Sequence, residues 1–312
     1  MSYLKNFMMK KVNKLITHNG SFHSDDIFAC ATLCLMLEKR GEQFEIIRTR
    51  DPEIIKNGDY VFDLGGMYDE KLNRFDHHQP GGAGRRVPSG VEGEMGIEYS
   101  SFGLVWKKFG AEICGSQKVA DTIDKKLVAP VDAFDNGIDL VENKYEISPY
   151  FIEHAFLSMQ PTWREENLSE DEMFLKSVKM AKEILLREII QARDGALAEE
   201  ITTSVYKNSP DKKIIILDKN YPHEYTLCNF PEPLFVIYPR ENNTWGVRVV
   251  RENPKTFKNR KDFPKSWAGL RDGELQKVTG VSDAVFCHRG LFLAVAQSKE
   301  GAIKLARIAI ES

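Results

Sequence analysis

The sequence predicts an α/β protein of two domains, the first built on a parallel sheet and the second a smaller mixed α/β domain. Short apolar runs alternate with helical periods over residues 1–165, which is typical of parallel strands joined by crossover helices. Closely spaced strand-like runs follow over 211–312. At 312 residues the chain also exceeds a comfortable single core, so two domains are the default expectation.

The first predicted strand and helix enclose a polar loop. Residues 12–17 form an apolar run that ends at His18, and Gly20 permits a tight turn. Ser24 is a plausible helix start, and a mostly apolar helix follows over 27–39. A strand, a polar loop and a helix N-terminus form a common architecture of phosphate and metal sites.

Further strands bring acids to the same edge of the predicted sheet. Residues 44–49 form a second strand, and 59–64 form a third with Asp63 near its carboxyl end. A further strand over 72–76 would deliver Asp76. The carboxyl ends of parallel strands meet at one edge, so we expect these acids to lie close together.

Histidine and aspartate are concentrated at the ends of these apolar runs. Four of the 7 histidines lie in two clusters, 18–26 and 75–79. Imidazole nitrogens and carboxylate oxygens together suit a divalent transition metal. Either Asp132 or Asp135, which follow a later apolar run, could complete the set. Polar surface loops are the alternative interpretation, and the clustering disfavours it.

If these side chains converge, they predict a site for two divalent ions. Mixed imidazole and carboxylate ligation with few thiols favours Mn²⁺ or Mg²⁺. The predicted metal ligands are His18, His23, Asp25, Asp63, His77 and Asp132. The predicted catalytic group is Asp76, His77 and His78, with Asp26 and Asp135 as secondary candidates. Two ions about 3.5–4 Å apart neutralise charge on both the entering and the leaving oxygen of a phosphoryl centre.

The segment after these clusters is a glycine-rich loop followed by helices. Residues 80–98 carry Arg85 and Arg86, which either meet a substrate anion or belong to a disordered surface loop. Residues 100–109 and 117–127 are predicted to be helical.

A long helix is predicted to separate the two domains. Apolar residues recur at helical spacing over 169–205, so we place a helical connector at 166–210. Beyond it the predicted strands are 213–217, 234–238, 245–250, 284–288 and 291–296. The last two are expected to pair through Arg289 and Gly290, before a closing helix over 302–310.

The second predicted domain is locally basic. Seven cations alternate with aromatic residues, namely Arg248, Arg251, Lys255, Lys258, Arg260, Lys261 and Lys265 with Phe257, Phe263 and Trp267. Cations that meet phosphates beside rings that stack on bases suit single-stranded nucleic acid. A solvated hairpin with core aromatics is the alternative.

Composition bounds the partners and the compartment. The net charge of −3 gives no global basic field, so nucleic-acid binding would need a local surface. Five scattered cysteines without a paired spacing fit a reducing, intracellular compartment. No apolar run reaches membrane-spanning length, so we expect no membrane partner. The lysines of residues 1–14 are either a weak organelle-targeting signal or a frayed terminus.

These motifs together resemble those of the DHH phosphoesterase superfamily. Asp76-His77-His78, the upstream His18, His23 and Asp25, Asp63 between them and Asp132 after them are similar to its four motifs. The fuller pattern resembles the Myg exonuclease family. It comprises residues 17–20, 75–79, 132–137, 267–270 and 286–288, and the resemblance runs from about residue 14 to the end.

The resemblance implies a DHH-type catalytic domain and a metal-dependent 3′–5′ exonuclease acting on single-stranded RNA. It implies that the second domain clamps the substrate. The substrate-binding residues that it implies are Arg248, Arg260, Trp267 and His288. Cytoplasm, nucleus or mitochondrion is the expected location, and a homodimer is an open expectation. The chain departs from the pattern at His23-Ser24-Asp25, where an Asp-x-Asp pair is usual, and at 287–291, which lacks a glycine-rich run.

Two other functions remain open at this point. One is a phosphatase of a small substrate, such as inorganic pyrophosphate or a short oligonucleotide. The other is a non-catalytic metal-binding regulatory protein. The basic and aromatic second domain favours a polymer, and the complete set of candidate ligands favours an enzyme.

Overall fold

The computed structural model describes residues 11–87 and 96–312, so residues 1–10 and the centre of the glycine-rich loop, 88–95, lie outside the described residues. The chain forms two compact units, Met1–Arg193 and Asp194–Ser312. This division falls inside one continuous helix, Glu170–Asn208.

The first unit contains a mainly parallel sheet, as predicted. Its strands are β1 Val12–Thr17, β2 Gln43–Arg48, β3 Tyr60–Phe62, β4 Tyr68–Asp69 and β5 Arg74–Phe75. Over the described residues their order in the sheet is β2-β1-β3-β5-β4, and all neighbours are parallel except β4 and β5. The two-residue β4 was not predicted, and the strand predicted over 72–76 is shorter because a turn precedes Arg74.

The same stretch of chain also forms helices. They are α1 Ser24–Arg40, α2 Pro52–Lys56, α3 Ser101–Cys114, α4 Gln117–Ile123, α5 Ala129–Asp135, α6 Ile152–Leu157 and α7 Glu170–Asn208. A π-helical turn, Asp124–Val128, joins α4 to α5. The helix predicted over 117–127 is therefore interrupted. Helix α6 was not predicted, because six residues are too few to show a helical periodicity.

Helix α1 lies at the centre of the first unit. Every residue of 24–37 is buried, which a helix achieves only when other elements cover it on all sides. Phe28 stacks on Phe102 of α3 at 5.0 Å between ring centres, and Phe156 of α6 meets it edge-on at 5.3 Å. The helix ends at Gly41, which adopts the left-handed conformation (φ 69°). This packing fixes the N-terminus of α1, where the acids of the first cluster lie.

The second unit is a mixed sheet covered by helices. Its elements are β6 Ile214–Ile216, α8 Glu224–Cys228, β7 Phe235–Pro239, β8 Trp245–Val249, α9 Asp272–Thr279, β9 Ala284–Cys287, β10 Leu293–Ala296 and α10 Lys299–Glu311. Over the described residues the strand order is β6-β7-β8-β10-β9, and only β6 and β7 are parallel. The predicted pairing of the last two strands is confirmed. Helices α8 and α9 were not predicted.

Two observations bear on environment. Among the residues that the structure describes, no helix combines the length and apolar character needed to cross a membrane. All five cysteines are free thiols, and four of them are buried.

Candidate metal centre

One large cavity opens where strands β1, β3 and β5 end. Its volume is about 1030 Å³. It is lined by the loop after β1, by the turn after β3, by 76–78 after β5 and by the end of α5. These segments meet because the carboxyl ends of parallel neighbours lie at one edge of the sheet. The cavity therefore collects the histidines and acids that the sequence places after separate strands.

The loop after β1 and the first turn of α1 supply the first pair of donors. His18 Nε2 lies 3.2 Å from Asp26 Oδ2 and 3.1 Å from Asp63 Oδ2. The other oxygen of Asp26, Oδ1, accepts the backbone N–H of His23 at 2.9 Å. That bond is possible because the first amides of a helix have no partner within the helix. Capping thus orients Asp26 toward His18.

Asp63 occupies the middle of the cavity. It follows β3 directly and adopts a left-handed backbone (φ 52°), which turns its side chain at the strand end. Its Oδ2 faces His18, while its Oδ1 lies 3.5 Å from His77 Nε2 and 3.6 Å from His78 Nδ1. One carboxylate therefore faces imidazoles from two different strand ends.

Asp76 holds the histidine pair rather than facing the other acids. Its Oδ1 accepts the backbone N–H groups of His77 at 2.8 Å and His78 at 3.2 Å, and contacts His78 Nδ1 at 2.7 Å. Its Oδ2 accepts the N–H of Gly66 at 2.5 Å. Four contacts on a carboxylate that is 2% exposed make Asp76 the fixed point of the 76–78 segment.

Asp25, His77 and Asp135 form a second concentration of donors. His77 Nε2 lies 3.2 Å from Asp135 Oδ2. Asp25 is fully buried and accepts the N–H of Phe102 at 2.7 Å and that of Ser101 at 3.3 Å. These amides belong to the first turn of α3, where a carboxylate is stabilised by the helix dipole.

Within residues 11–87 and 96–312, three sets of donor atoms are close enough to share an ion. The sets are His18 with Asp26 and Asp63, Asp63 with His77 and His78, and Asp25 with His77 and Asp135. Asp63 and His77 each belong to two sets. Two buried atoms, Asp26 Oδ2 and His77 Nε2, have no hydrogen-bond partner. Asp26 and His77 both belong to the three sets, and a bound cation would satisfy these two atoms, since an unpaired buried polar atom is otherwise costly.

The structure does not bring two of the predicted ligands into these sets. Asp132 is fully buried, and its Oδ2 accepts Arg86 Nη1 at 2.6 Å while its Oδ1 accepts the Ser100 hydroxyl at 2.5 Å. His23 lines the cavity as the residue that precedes α1, outside the three sets. Asp26 and Asp135, predicted as secondary candidates, are members of these sets.

The two arginines of the glycine-rich loop are both engaged. Arg86 also binds Asp124 of the π-helical turn through two N–H bonds of 2.8 and 2.9 Å. It lies over the Tyr99 ring at 4.5 Å. Arg85 pairs with Glu98 across the loop. Arg86 is thus a structural counter-ion of a buried acid, and neither arginine lines the cavity.

Proton affinities in the cavity are strongly shifted. Burial alone lowers the pKa of His18, but contact with Asp26 and Asp63 outweighs it and raises the pKa to about 10. Burial also lowers the pKa of His77, but contact with Asp135 and Asp63 outweighs it and raises the pKa to about 11. The two histidines hold the pKa of Asp63 well below its usual value despite burial.

Burial dominates the other acids. It raises the pKa of Asp25 well above its usual value, helped by the negative charge of Asp135. It also raises the pKa of Asp132 to about 7, although Arg86 opposes the rise. Raised pKa values favour the protonated, neutral form of these buried acids, and a divalent cation beside Asp25 would favour its ionised form instead.

Sequence reasoning overlooked Arg50 as a site residue. It lies after β2 and lines the cavity with its exposed side chain. Of the described residues that line this cavity, Arg50 is the one lysine or arginine. The available signal was its position, two residues beyond a strand that is parallel to β1.

Two of the predicted substrate-binding residues are structural in the second unit. Trp267 is 2% exposed and stacks on Phe263 at 5.6 Å between ring centres. Arg260 donates to the backbone carbonyls of Phe230 at 2.5 Å and Cys228 at 2.8 Å. Both side chains hold the unit together, and Trp267 offers almost no surface for stacking.

The other two predicted substrate-binding residues lie near a surface cavity. Arg248 Nη2 lies 2.7 Å from Glu224 Oε1. His288 is partly exposed, and its Nδ1 accepts the N–H of Gly290 at 2.9 Å.

Comparison with known proteins matches this chain almost throughout. The family model described as "Uncharacterised protein family (UPF0160)", which carries the name MYG1 exonuclease, matches residues 14–310. The chain belongs to the MYG1 exonuclease family. The site residues named above all lie within the matched region.

Curated relatives agree with this membership. The MYG1 exonuclease of Homo sapiens is 31% identical over 320 residues, covering 93% of this chain and 84% of that protein. The MYG1 exonuclease of Mus musculus is 33% identical over 323 residues, covering 93% and 83%. A MYG1 protein of Chlamydia trachomatis is 30% identical over 299 residues, covering 91% and 92%.

Solved structures give a weaker likeness. A structure of the exonuclease RecJ bound to manganese aligns with a TM-score of 0.26 and 13% identity, covering 96% of this chain and 90% of that chain. RecJ of Thermus thermophilus in complex with Mn²⁺ aligns with a TM-score of 0.27 and 12% identity, covering 96% and 52%.

Proposed function

We propose that this chain is a metal-dependent phosphodiesterase that removes nucleotides from the 3′ end of single-stranded RNA, using two divalent ions. The observation that carries the proposal is the position of Asp63, whose two oxygens face different sets of donors. A carboxylate shared between two sets is the arrangement expected of a two-ion phosphoryl-transfer site.

The three sets of donors combine into two ion sites, because two of the sets share His77. His18, Asp26 and Asp63 would hold one ion. Asp63, His77, Asp25 and Asp135 would hold the other. Oxygen and imidazole donors without thiols suit Mn²⁺ or Mg²⁺. When bound, the two ions would supply charge neutralisation at the phosphoryl oxygens and lower the pKa of water.

Other residues of the cavity position these groups and the substrate. Asp76 fixes the backbone of 76–78 and orients the His78 ring. Arg50 supplies a positive charge at the cavity wall, where it would attract a phosphate group. His78 is largely exposed and faces the cavity, so we assign it a contact with the phosphate.

The nuclease class is supported by family membership, since curated members carry the name exonuclease. RNA as the substrate and the 3′–5′ direction rest on the family resemblance of the sequence motifs. A locally basic second unit supports a polymeric anion over a small one.

The test is Mn²⁺-dependent digestion of a 5′-labelled single-stranded RNA, run beside inorganic pyrophosphate. We expect a ladder that shortens from the 3′ end. Asp63→Asn should abolish it, because it removes the charge between the two ligand sets. Asp59→Asn is the matched control, since Asp59 precedes the same strand and contacts Lys11 and the backbone of Lys14 instead.

The outcomes separate the remaining alternatives. Phosphate release from pyrophosphate with intact RNA would assign the small-substrate activity. Mn²⁺ binding without turnover of either substrate would assign a non-catalytic role. Full activity in folded Asp63→Asn protein would refute the metal-site assignment itself.

A further inference from the structure

The second unit contains a cavity of its own, distinct in composition from the metal centre. Its volume is about 360 Å³, within the range of pockets that hold small ligands. It is lined by Arg248, Val249, Arg251, Phe257, Asn259, Gly290 and Phe292. No acid is among the described residues that line it, so its wall combines cations, aromatic rings and one amide.

The charge of this cavity is positive. Arg248 Nη2 lies 2.7 Å from Glu224 Oε1, so that guanidinium is largely compensated. Arg251 Nη1 lies 3.7 Å from Glu224 Oε2, a longer contact to the same carboxylate. Two guanidinium groups therefore share one carboxylate. The surplus positive charge suits an anion, and a guanidinium fork matches phosphate oxygens.

An exposed ring stands beside the less compensated arginine. Phe257 is 88% exposed, although a phenylalanine ring stabilises a protein more when it is buried. The Arg251 guanidinium lies 4.9 Å from the centre of this ring. Most of the ring surface still faces solvent, which leaves room for a planar group. A base stacks on such a ring whatever its identity.

The turn after β9 forms another part of the lining. Gly290 donates its N–H to His288 Nδ1 at 2.9 Å, so the proton of the neutral ring is on Nε2. The His288 ring lies 4.3 Å from Phe292, which in turn lies 5.7 Å from the Arg248 guanidinium. A side chain at Gly290 would crowd both rings, at 3.2 Å from His288 and 3.3 Å from Phe292.

We propose that this cavity binds one nucleotide of a single-stranded RNA, with the base against Phe257 and the phosphate on Arg251. The amide of Asn259, which also lines this cavity, offers both a donor and an acceptor to the base or the sugar. The inference rests on the proposed function, because it assigns a subsite for the same substrate.

The test measures binding of a labelled single-stranded oligoadenylate to the full chain by fluorescence anisotropy, with EDTA present to prevent turnover. Phe257→Ala should raise Kd by about 5- to 150-fold, the range found when a stacking ring is removed. Phe257→Trp should restore binding because it keeps an aromatic face. Arg251→Ala should also weaken binding. It should reduce the slope of log K against log salt concentration by about 1, because one phosphate contact is lost.

Arg271→Ala provides the matched control. Arg271 is an exposed arginine of the same unit that lies 4.6 Å over the Phe286 ring, away from the lining of this cavity. It removes the same charge and the same kind of ring contact, so an effect of general charge would appear in both arginine variants. We expect its Kd to equal that of the wild type.

The outcomes are separable from those of the proposed function. If the wild type binds the oligonucleotide and Phe257→Ala binds it with the same Kd, the subsite is overturned. Absence of binding by the wild type also overturns it. Hydrolysis of bis(p-nitrophenyl) phosphate with Mn²⁺ by the wild type tests the metal centre alone, because that ester carries no base. Lost binding in Phe257→Ala beside an inactive wild type would support the subsite and overturn the nuclease.

Discussion

At the scale of single residues, the geometry separates groups that face the cavity from groups that hold them. Asp76 was predicted to be catalytic because it opens the Asp-His-His triplet. In the structure it accepts from Gly66, His77 and His78, and we propose on this basis that it orients the two histidines. Such supporting groups are as necessary as ligands, since they fix where a ligand's lone pairs point.

Asp76→Ala should therefore lower Mn²⁺ affinity or activity by about 10- to 100-fold while leaving the protein folded. The change removes three backbone contacts and one ring contact from 76–78, so His77 and His78 lose their fixed positions. Isothermal titration of Mn²⁺ into folded variant protein checks this. Wild-type affinity and activity in that variant would show that the 76–78 segment is held by other contacts.

The shifted histidines predict that metal binding releases protons. His18 and His77 have pKa values raised to about 10 and about 11, so both are charged at pH 7 in the metal-free protein. Ligation needs neutral imidazoles. Mn²⁺ affinity should rise with pH from neutral toward those values. Titration in buffers of different ionisation enthalpy measures the protons released, and a heat independent of the buffer would contradict the assignment.

The sequence predicted which strand ends would meet, but it could not choose among neighbouring acids. His18, Asp63 and His77 follow predicted strands, so their meeting at one edge follows from sheet topology. Asp132 and Asp135 are three apart on α5 and share a face. Which one faces His77 depends on Arg86, a distant residue that occupies the Asp132 carboxylate. Long-range contacts of this kind leave no periodic signal.

At the scale of elements, helices α3 and α5 can approach closely because Gly103 of α3 has no side chain. A Cβ on Gly103 would lie 1.9 Å from Asp132 Oδ2. Its backbone N–H donates to Asp132 Oδ1 at 3.0 Å. Glycine in a helix is intrinsically unfavourable, so this position is explained by the close approach of the buried carboxylate.

Gly103→Ala should destabilise the protein by at least about 1–3 kcal/mol, the usual cost of overpacking. Gly195→Ala is the matched control, since Gly195 is also helical and a Cβ there meets nothing within 4 Å. That change should stabilise by about 0.4–1 kcal/mol. Urea unfolding of both variants measures the difference. Equal stability of the two would contradict the close approach at Asp132.

The turn that contains Trp267 shows that a residue of a sequence motif can be part of the core instead of the binding surface. Trp267 was predicted to bind substrate, yet it is 2% exposed and packs on Phe263. Only the three-dimensional path of 265–267, a short 3₁₀ turn, decides this. A tryptophan in a polar, basic stretch gives no sequence signal that distinguishes a core ring from a stacking ring.

Trp267→Ala should lower the free energy of unfolding by about 3–5 kcal/mol, as expected for removal of a buried ring. The measurement is urea unfolding followed by fluorescence and circular dichroism. A variant of unchanged stability that loses affinity for RNA would show that this ring is available to the substrate instead.

At the scale of the whole molecule, the sequence predicted the α/β class, the mainly parallel first sheet and the final hairpin. Each of these follows from apolar periodicity and turn residues. It did not predict β4, α6, α8 or α9, because elements of two to eight residues carry too little pattern. Each unit contains its own cavity, one rich in acids and histidines and one in arginines and rings.

The measurement that tests the central claim most directly is anomalous X-ray diffraction from crystals grown with Mn²⁺. The account predicts two peaks on either side of Asp63, about 3.5–4 Å apart, one beside His18 and one beside His77. Neither peak should survive in Asp63→Asn crystals grown under the same conditions. Manganese absent from this cavity, or bound only at a position that Asp63 does not contact, would contradict the account.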